Sequence, residues 1–248
     1  MKNERSLVED VKHLEGRYGG FSFGGVEPEG IVVRDPLPSG TVFPNGATTA
    51  LLMTFDVEGS YGNGGVDMER EIDNYARICE RLRQRRVKAT FNVVGKMAEE
   101  HGPAFVEWMW DAGCEVAPHG YVHDLNKRYG GDRVYAGHYG PEENLVQVRE
   151  GIAAIDAIRP GQVKGFRLPY GHFNEYSYDA FDACGLTWSS NIGMDDFIVP
   201  GQGVGPSPFR MQLGEKRYRI VEIPLDSQTY DWSVWIADEQ ANGLFVGA

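Results

Sequence analysis

From residue 49 onward the chain repeats one pattern: a short apolar run, a loop, then an amphipathic stretch of helical length. Leu51-Leu52-Met53-Thr54-Phe55 is the first run and reads as a buried strand. A glycine-rich loop follows (Gly59, Gly62, Gly64, Gly65). Residues 67–86 then place Ile72, Tyr75, Ala76, Cys79 and Leu82 on one helical face, with Asp67 as N-cap. Residues 89–94 form the second strand. A helix over 97–112 is interrupted at Gly102-Pro103, and residues 114–117 form the third strand. A helix over 142–158 has Pro141 at its start and Pro160 beyond its end. Residues 165–168 are the fourth strand, 176–184 a helix closed by Gly185, and 186–191 and 218–225 two more strands. Strands alternating with helices predict a parallel sheet covered by helices. Six or more strands in about 200 residues suit an α/β fold of the open, incomplete (β/α) barrel type better than a full eight-fold barrel.

Residues 1–48 differ in character. They are punctuated by Gly19-Gly20, Gly24-Gly25, Pro36-Leu37-Pro38 and Pro44-Asn45-Gly46, and only residues 6–14 suggest a helix, capped by Ser6. The segment reads as an N-terminal arm over the surface of one domain spanning residues 49–248. The net charge of −12 speaks against nucleic-acid and anionic-membrane partners, which select for basic patches. No apolar run reaches the ~20 residues of a membrane span, and residues 1–5 are not the start of a signal peptide. A cytoplasmic protein is the resulting expectation, and homo-oligomerisation is compatible with it. Cys79, Cys114 and Cys184 form no CxxC pair and read as reduced thiols rather than a disulfide framework or a thiolate metal site.

The reactive side chains share a position: each follows a predicted strand. Asp56 and Glu58 follow the first, His119 and His123 the third, Arg167 and Tyr170 the fourth, Asp195 and Asp196 the fifth. Sites in parallel α/β folds gather at the C-terminal ends of the strands, so these groups are expected to converge. His119-Gly120-Tyr121-Val122-His123 is an i, i+4 pair, which on a helical turn puts both rings on one side for a single cation. Asp56-Val57-Glu58 sets two acids on one side of an extended segment. One acid suits a cation and the other a proton, in either order. Arg167 before the rigid Pro169-Tyr170-Gly171 turn suits a guanidinium that orients a carboxylate. Asp195-Asp196 is a turn or a substrate contact. Trp232 and Trp235 are a sugar-stacking platform or core.

In order along the chain, these residues resemble the polysaccharide deacetylase family (carbohydrate esterase family 4, NodB homology). Thr54-Phe55-Asp56 is similar to the first family motif, and Ala89-Thr90-Phe91 with Gly95 to its second strand. His119 to His123 resembles the His-x-x-x-His metal motif, and Arg167-Leu168-Pro169-Tyr170-Gly171 the Arg-x-Pro-Tyr-Gly motif. Met194-Asp195-Asp196 and Glu222-Ile223-Pro224 fit later segments. Phe43-Pro44-Asn45-Gly46-Ala47 resembles a branch holding peptidoglycan N-acetylglucosamine deacetylase-like proteins and allantoinases.

The resemblance implies a seven-stranded, NodB-like, distorted TIM-type barrel. It implies a zinc-like divalent cation on His119, His123 and one carboxylate, and hydrolysis of a carbon–nitrogen bond other than a peptide bond. N-acetylated amino sugars or a related polysaccharide are the implied substrates. Val57 stands where the family carries a second aspartate. The acid-x-acid branch implies Glu58 as ligand and Asp56 as base, with the reverse as the alternative. Arg167 would orient the base, and the backbone N–H of Tyr170 would stabilise the oxyanion. Asp195, Asp196 and Trp232 are expected to touch substrate. The family's late Leu-x-His acid has no counterpart after His172. Either the sequence stops short of it or another group serves, with His172 and His138 the candidates. Two rival functions remain: a hydrolase of a small cyclic amide such as allantoin, and a carbohydrate-binding protein without catalysis.

Overall fold

Three parallel strands, β2 (Thr54–Val57), β3 (Thr90–Val93) and β4 (Glu115–Pro118), pair in order, with Asp56 opposite Asn92 and Asn92 opposite Ala117. The computed structural model describes residues 31–34, 44–47, 50–61, 66–123, 139–171, 173–191 and 208–224. Among them a second sheet runs β1 (Ile31–Arg34), β7 (Phe209–Leu213), β8 (Lys216–Glu222), β6 (Trp188–Ser189), β5 (Gly165–Phe166). β5, β6 and β8 are parallel neighbours, and β7 and β1 add antiparallel strands at the edge. Among the described residues one backbone bond joins the sheets: Arg167 N–H donates to Pro118 O at 3.2 Å. Arg167, just past β5, also reaches Thr54 on β2 at 2.9 Å. In a flat sheet those strands would stand three spacings, about 14 Å, apart. The sheet therefore curls, and with β1 and β2 each having one described strand neighbour it is an incomplete (β/α) barrel.

The helices follow from local chemistry. α1 (Met68–Arg85) starts where the Asp67 carboxylate accepts the Arg70 N–H at 3.2 Å, and it buries Tyr75, Cys79 and Leu82. α2 (Gly95–His101) and α3 (Pro103–Asp111) are separated by Gly102 at φ +86°, with Pro103 opening the second. α4 (Pro141–Asp156) begins on its proline. α5 (Glu175–Ala183) carries a capping box between Asn174 and Ser177 and ends before Gly185 at φ +71°. One apolar cluster packs β2 to β4 against α1, α2 and α3. A second fills the space between β5 to β8, α4 and α5.

Three expectations need correction. The first strand starts at Thr54 rather than Leu51, and Leu51 and Leu52 are exposed. An apolar run cannot by itself show where a strand enters the core. Residues 31–34, within the expected arm, form a strand paired to β7. β7 itself was missed, although Phe209, Met211 and Leu213 alternate inward along it, and the two-residue turn at Gly214 returns the chain into β8. The predicted helix over residues 6–14 lies outside the described residues.

The β5–β6 register sets a tight constraint. Gly165 lies opposite Trp188, and a Cβ added there would come within 1.9 Å of the indole Cε2. The ring is anchored, because its N–H donates to Glu115 Oε1 at 2.9 Å. Gly165→Ala is expected to lower stability by about 3 kcal/mol, the upper end of ordinary overpacking. Adding Trp188→Leu should recover part of the loss. Urea midpoints measure both, and an unchanged midpoint for Gly165→Ala would show the register to be wrong.

Candidate metal centre

Glu58 is the first residue past β2, and the 3-10 turn Gly59–Tyr61 follows it immediately. His119 is the first residue past β4, with its N–H donating to Val93 O at 2.8 Å. The segment carrying both histidines is an irregular turn, not the helical one that i, i+4 spacing suggests. Gly120 at φ +76° breaks any helical path. The rings still converge, with centroids 5.4 Å apart. Glu58 Oε1 lies 3.4 Å from His119 Nε2 and 3.3 Å from His123 Nε2. One donor atom from each of the three residues falls within 4.8 Å of the others. His119 and His123 are buried, and Glu58 is partly so.

The protonation chemistry suits a cation. His119 Nδ1 lies 2.9 Å from Arg167 O, and a carbonyl can only accept, so Nδ1 carries the proton. In the neutral ring Nε2 then holds a lone pair, and among the described residues this buried atom makes no hydrogen bond. A histidine locked through its far nitrogen onto a backbone carbonyl is the usual support for a metal ligand. Burial works to raise the Glu58 carboxyl, but when the imidazoles carry their extra proton, their hydrogen bonds and charge outweigh it and pull the group well below the ordinary carboxylate range. A carboxylate and two imidazole nitrogens form a donor set for a divalent cation with coordination positions left open.

Asp56 stands beside this trio and is held differently. Its Oδ1 accepts from Asn92 Nδ2 at 2.8 Å and from Arg167 Nη1 at 2.9 Å. Both bonds fall on Oδ1, which leaves Oδ2 for other chemistry. Burial pushes the Asp56 carboxyl up, yet the charge of a protonated His119, the Arg167 charge and the two hydrogen bonds outweigh it, so the group stays ionised below its usual range. Arg167 is itself buried, with Nε and Nη2 donating to the backbone and hydroxyl of Ser190 at 3.0 and 2.9 Å. Leu168 N–H donates to Asn191 Oδ1 at 2.8 Å, which seats the turn Pro169–Gly171 containing Tyr170.

Asp56, Glu58, His119, His123 and Arg167 thus gather at one end of the barrel. Asp195, Asp196, Trp232, His172 and His138 lie outside the described residues. Sequence reasoning missed Asn92, Ser190 and Asn191, all of which hold residues of this site. Asn92 was the most accessible of them: an amide in the apolar strand Thr90–Val93 demands a polar partner.

A family model for polysaccharide deacetylases matches residues 45–189. Among solved structures, the chain is similar to a protein assigned as a polysaccharide deacetylase from Mycobacterium smegmatis, at 22% identity and TM-score 0.56. That match covers 79% of this chain and 64% of the other, so this chain spans a little under two thirds of that relative. It is also similar to a family 4 carbohydrate esterase from Streptomyces lividans in complex with acetate, at 25% identity and TM-score 0.42, covering 59% and 65% of the two chains. A family 4 acetyl xylan esterase from Clostridium thermocellum, in complex with a cobalt ion, matches at 20% identity and TM-score 0.42, covering 58% and 57%. With the family model spanning more than half of its length, the chain belongs to the polysaccharide deacetylase family.

Proposed function

We propose that the chain is a metal-dependent hydrolase that removes acetyl groups from N-acetylated amino sugars or a related polysaccharide. The observation that carries this reading is the meeting of Glu58 with both histidine Nε2 atoms at 3.3–3.4 Å, beside a separately tethered Asp56. Glu58, His119 and His123 would hold the divalent cation, for which the family resemblance favours zinc and with which this donor set is compatible. When bound, the cation supplies positive charge that acidifies a water and polarises a carbonyl.

The chain's own groups divide the remaining work. Asp56 Oδ2 accepts the proton of the attacking water as general base. Arg167 keeps the carboxylate aimed by occupying Oδ1. The Tyr170 N–H, on the turn seated by Asn191, donates to the oxyanion. His172 or His138 protonates the departing amine, and Asp195, Asp196 and Trp232 contact the sugar.

The test is metal analysis combined with acetate release from N-acetylglucosamine oligomers and acetyl-xylan, with allantoin hydrolysis in parallel. About one zinc per chain is expected. Removing it with a chelator should cut acetate release by at least about 10²-fold, with recovery on adding zinc back. Turnover of allantoin alone would move the substrate to small cyclic amides. Tightly bound metal with no turnover on any substrate would reduce the chain to a binding protein.

A further inference from the structure

The turn between the two histidines is hydrogen-bonded by two helices, α2 and α4. Gly95 N–H donates to Gly120 O at 3.0 Å, and Lys96 N–H to Tyr121 O at 2.8 Å, so the first turn of α2 caps itself on this segment. Two donors of the turn, Tyr121 N–H and Val122 N–H, both point at one atom, Gln147 Oε1, at 2.8 and 3.2 Å. Two successive amides aimed at one oxygen, after a glycine with positive φ, make a small nest for an acceptor. Gln147 lies on the buried face of α4 with Val148, Gly151, Ala154 and Ile155, and is 4% exposed. One turn later along that face a Cβ on Gly151 would come within 3.2 Å of the Gly120 carbonyl. The helix is pressed onto the turn, with no slack for Gln147 to be replaced by water.

We propose that Gln147 is a positioning residue for the cation site: its amide oxygen fixes the backbone turn that brings His119 and His123 to a common point. This rests on the reading of Glu58, His119 and His123 as cation ligands. Gln147 is outside that ligand set and acts only through the turn. The argument is one of satisfaction. Deleting the acceptor strands two buried N–H groups midway between the ligands, and the turn relieves this by rotating peptides that also carry the imidazoles. A carboxylate at the same place accepts both bonds, so the requirement is for an acceptor oxygen and not for an amide.

The experiment uses the full chain and zinc alone, with three variants. Gln147→Met keeps the volume and removes the acceptor. Gln147→Glu keeps the acceptor. Gln147→Asn draws it back by one methylene and stands in if the methionine variant does not fold. Zinc dissociation constants by chelator competition are expected to rise about tenfold or more in Gln147→Met, the scale of lost outer-shell support. Gln147→Glu is expected to stay close to the parent. Amide hydrogen exchange should show Tyr121 and Val122 losing protection in Gln147→Met, with β3 and β4 unchanged. Acetate release by that variant should recover at saturating zinc, which damage elsewhere in the fold would not allow. A folded Gln147→Met that binds zinc like the parent overturns the inference and leaves the cation site standing. A parent chain that binds no zinc overturns both.

Discussion

Asp56→Asn is expected to lower acetate release by about 10²–10⁴-fold, the usual worth of a general base, while the chain still binds its cation. The hydrogen bonds explain why this variant is clean. Asn92 and Arg167 both donate to Oδ1 of Asp56, at 2.8 and 2.9 Å. An asparagine amide placed there turns its oxygen toward those two donors. Its NH2 then occupies the place of Oδ2, where it can donate but cannot accept a proton. Glu58→Gln should behave in the opposite way. Its Oε1 sits 3.3–3.4 Å from both histidine nitrogens, so neutralising it removes the negative charge of the ligand set. Zinc titration and acetate release on both variants separate the two acids. Loss of zinc in Asp56→Asn with retention in Glu58→Gln would reverse their roles.

The division of labour between those acids shows how far sequence reaches. Strand–helix alternation and the placement of Glu58, His119 and Arg167 just past strand ends are local patterns; Asp56, expected past the first strand, lies inside β2, one residue before its end, and the barrel gathers all four because β2 to β6 run parallel. Caps are local too: Asp67, Pro141 and Gly185 act within a few residues of themselves. What escaped was set by distant partners. Gln147 finds the amides of the histidine turn 25 and 26 residues away, Asn92 finds Asp56 at 36, and Ser190 finds Arg167 at 23. Nothing in a helix reading of Gln147 says which backbone it will meet. Its one sequence signal is that it falls on the apolar face of α4, where a polar side chain requires a partner. The histidine turn failed for a different reason. The spacing is compatible with a helix, but Gly120 permits a left-handed step that helical periodicity does not consider.

Arg167 is where stability and chemistry meet, and its replacement is expected to have the largest effect on folding. The guanidinium is nearly buried and makes four hydrogen bonds, to Ser190 O, Ser190 Oγ, Thr54 Oγ1 and Asp56 Oδ1. Those partners lie on β2 and just past β6, so one side chain ties strands on opposite sides of β3, β4 and β5. Arg167→Met should cost about 3–5 kcal/mol, because it leaves the largely buried Asp56 carboxylate without its counter-charge. Arg167→Lys restores charge but not the planar fork. An ammonium has three donors to set against four acceptor contacts, so both stability and acetate release should fall between the parent and the methionine variant. The decisive comparison is the double variant Arg167→Met with Asp56→Asn. If the cost of Arg167→Met comes mainly from the stranded carboxylate, neutralising Asp56 removes much of it. The double variant will then be more stable than Arg167→Met alone, a coupling well above the few tenths of a kcal/mol seen for independent sites. Denaturant midpoints of the four proteins measure that coupling. Additive losses would mean that Arg167 stabilises the barrel through Ser190 and Thr54 and only incidentally orients the base.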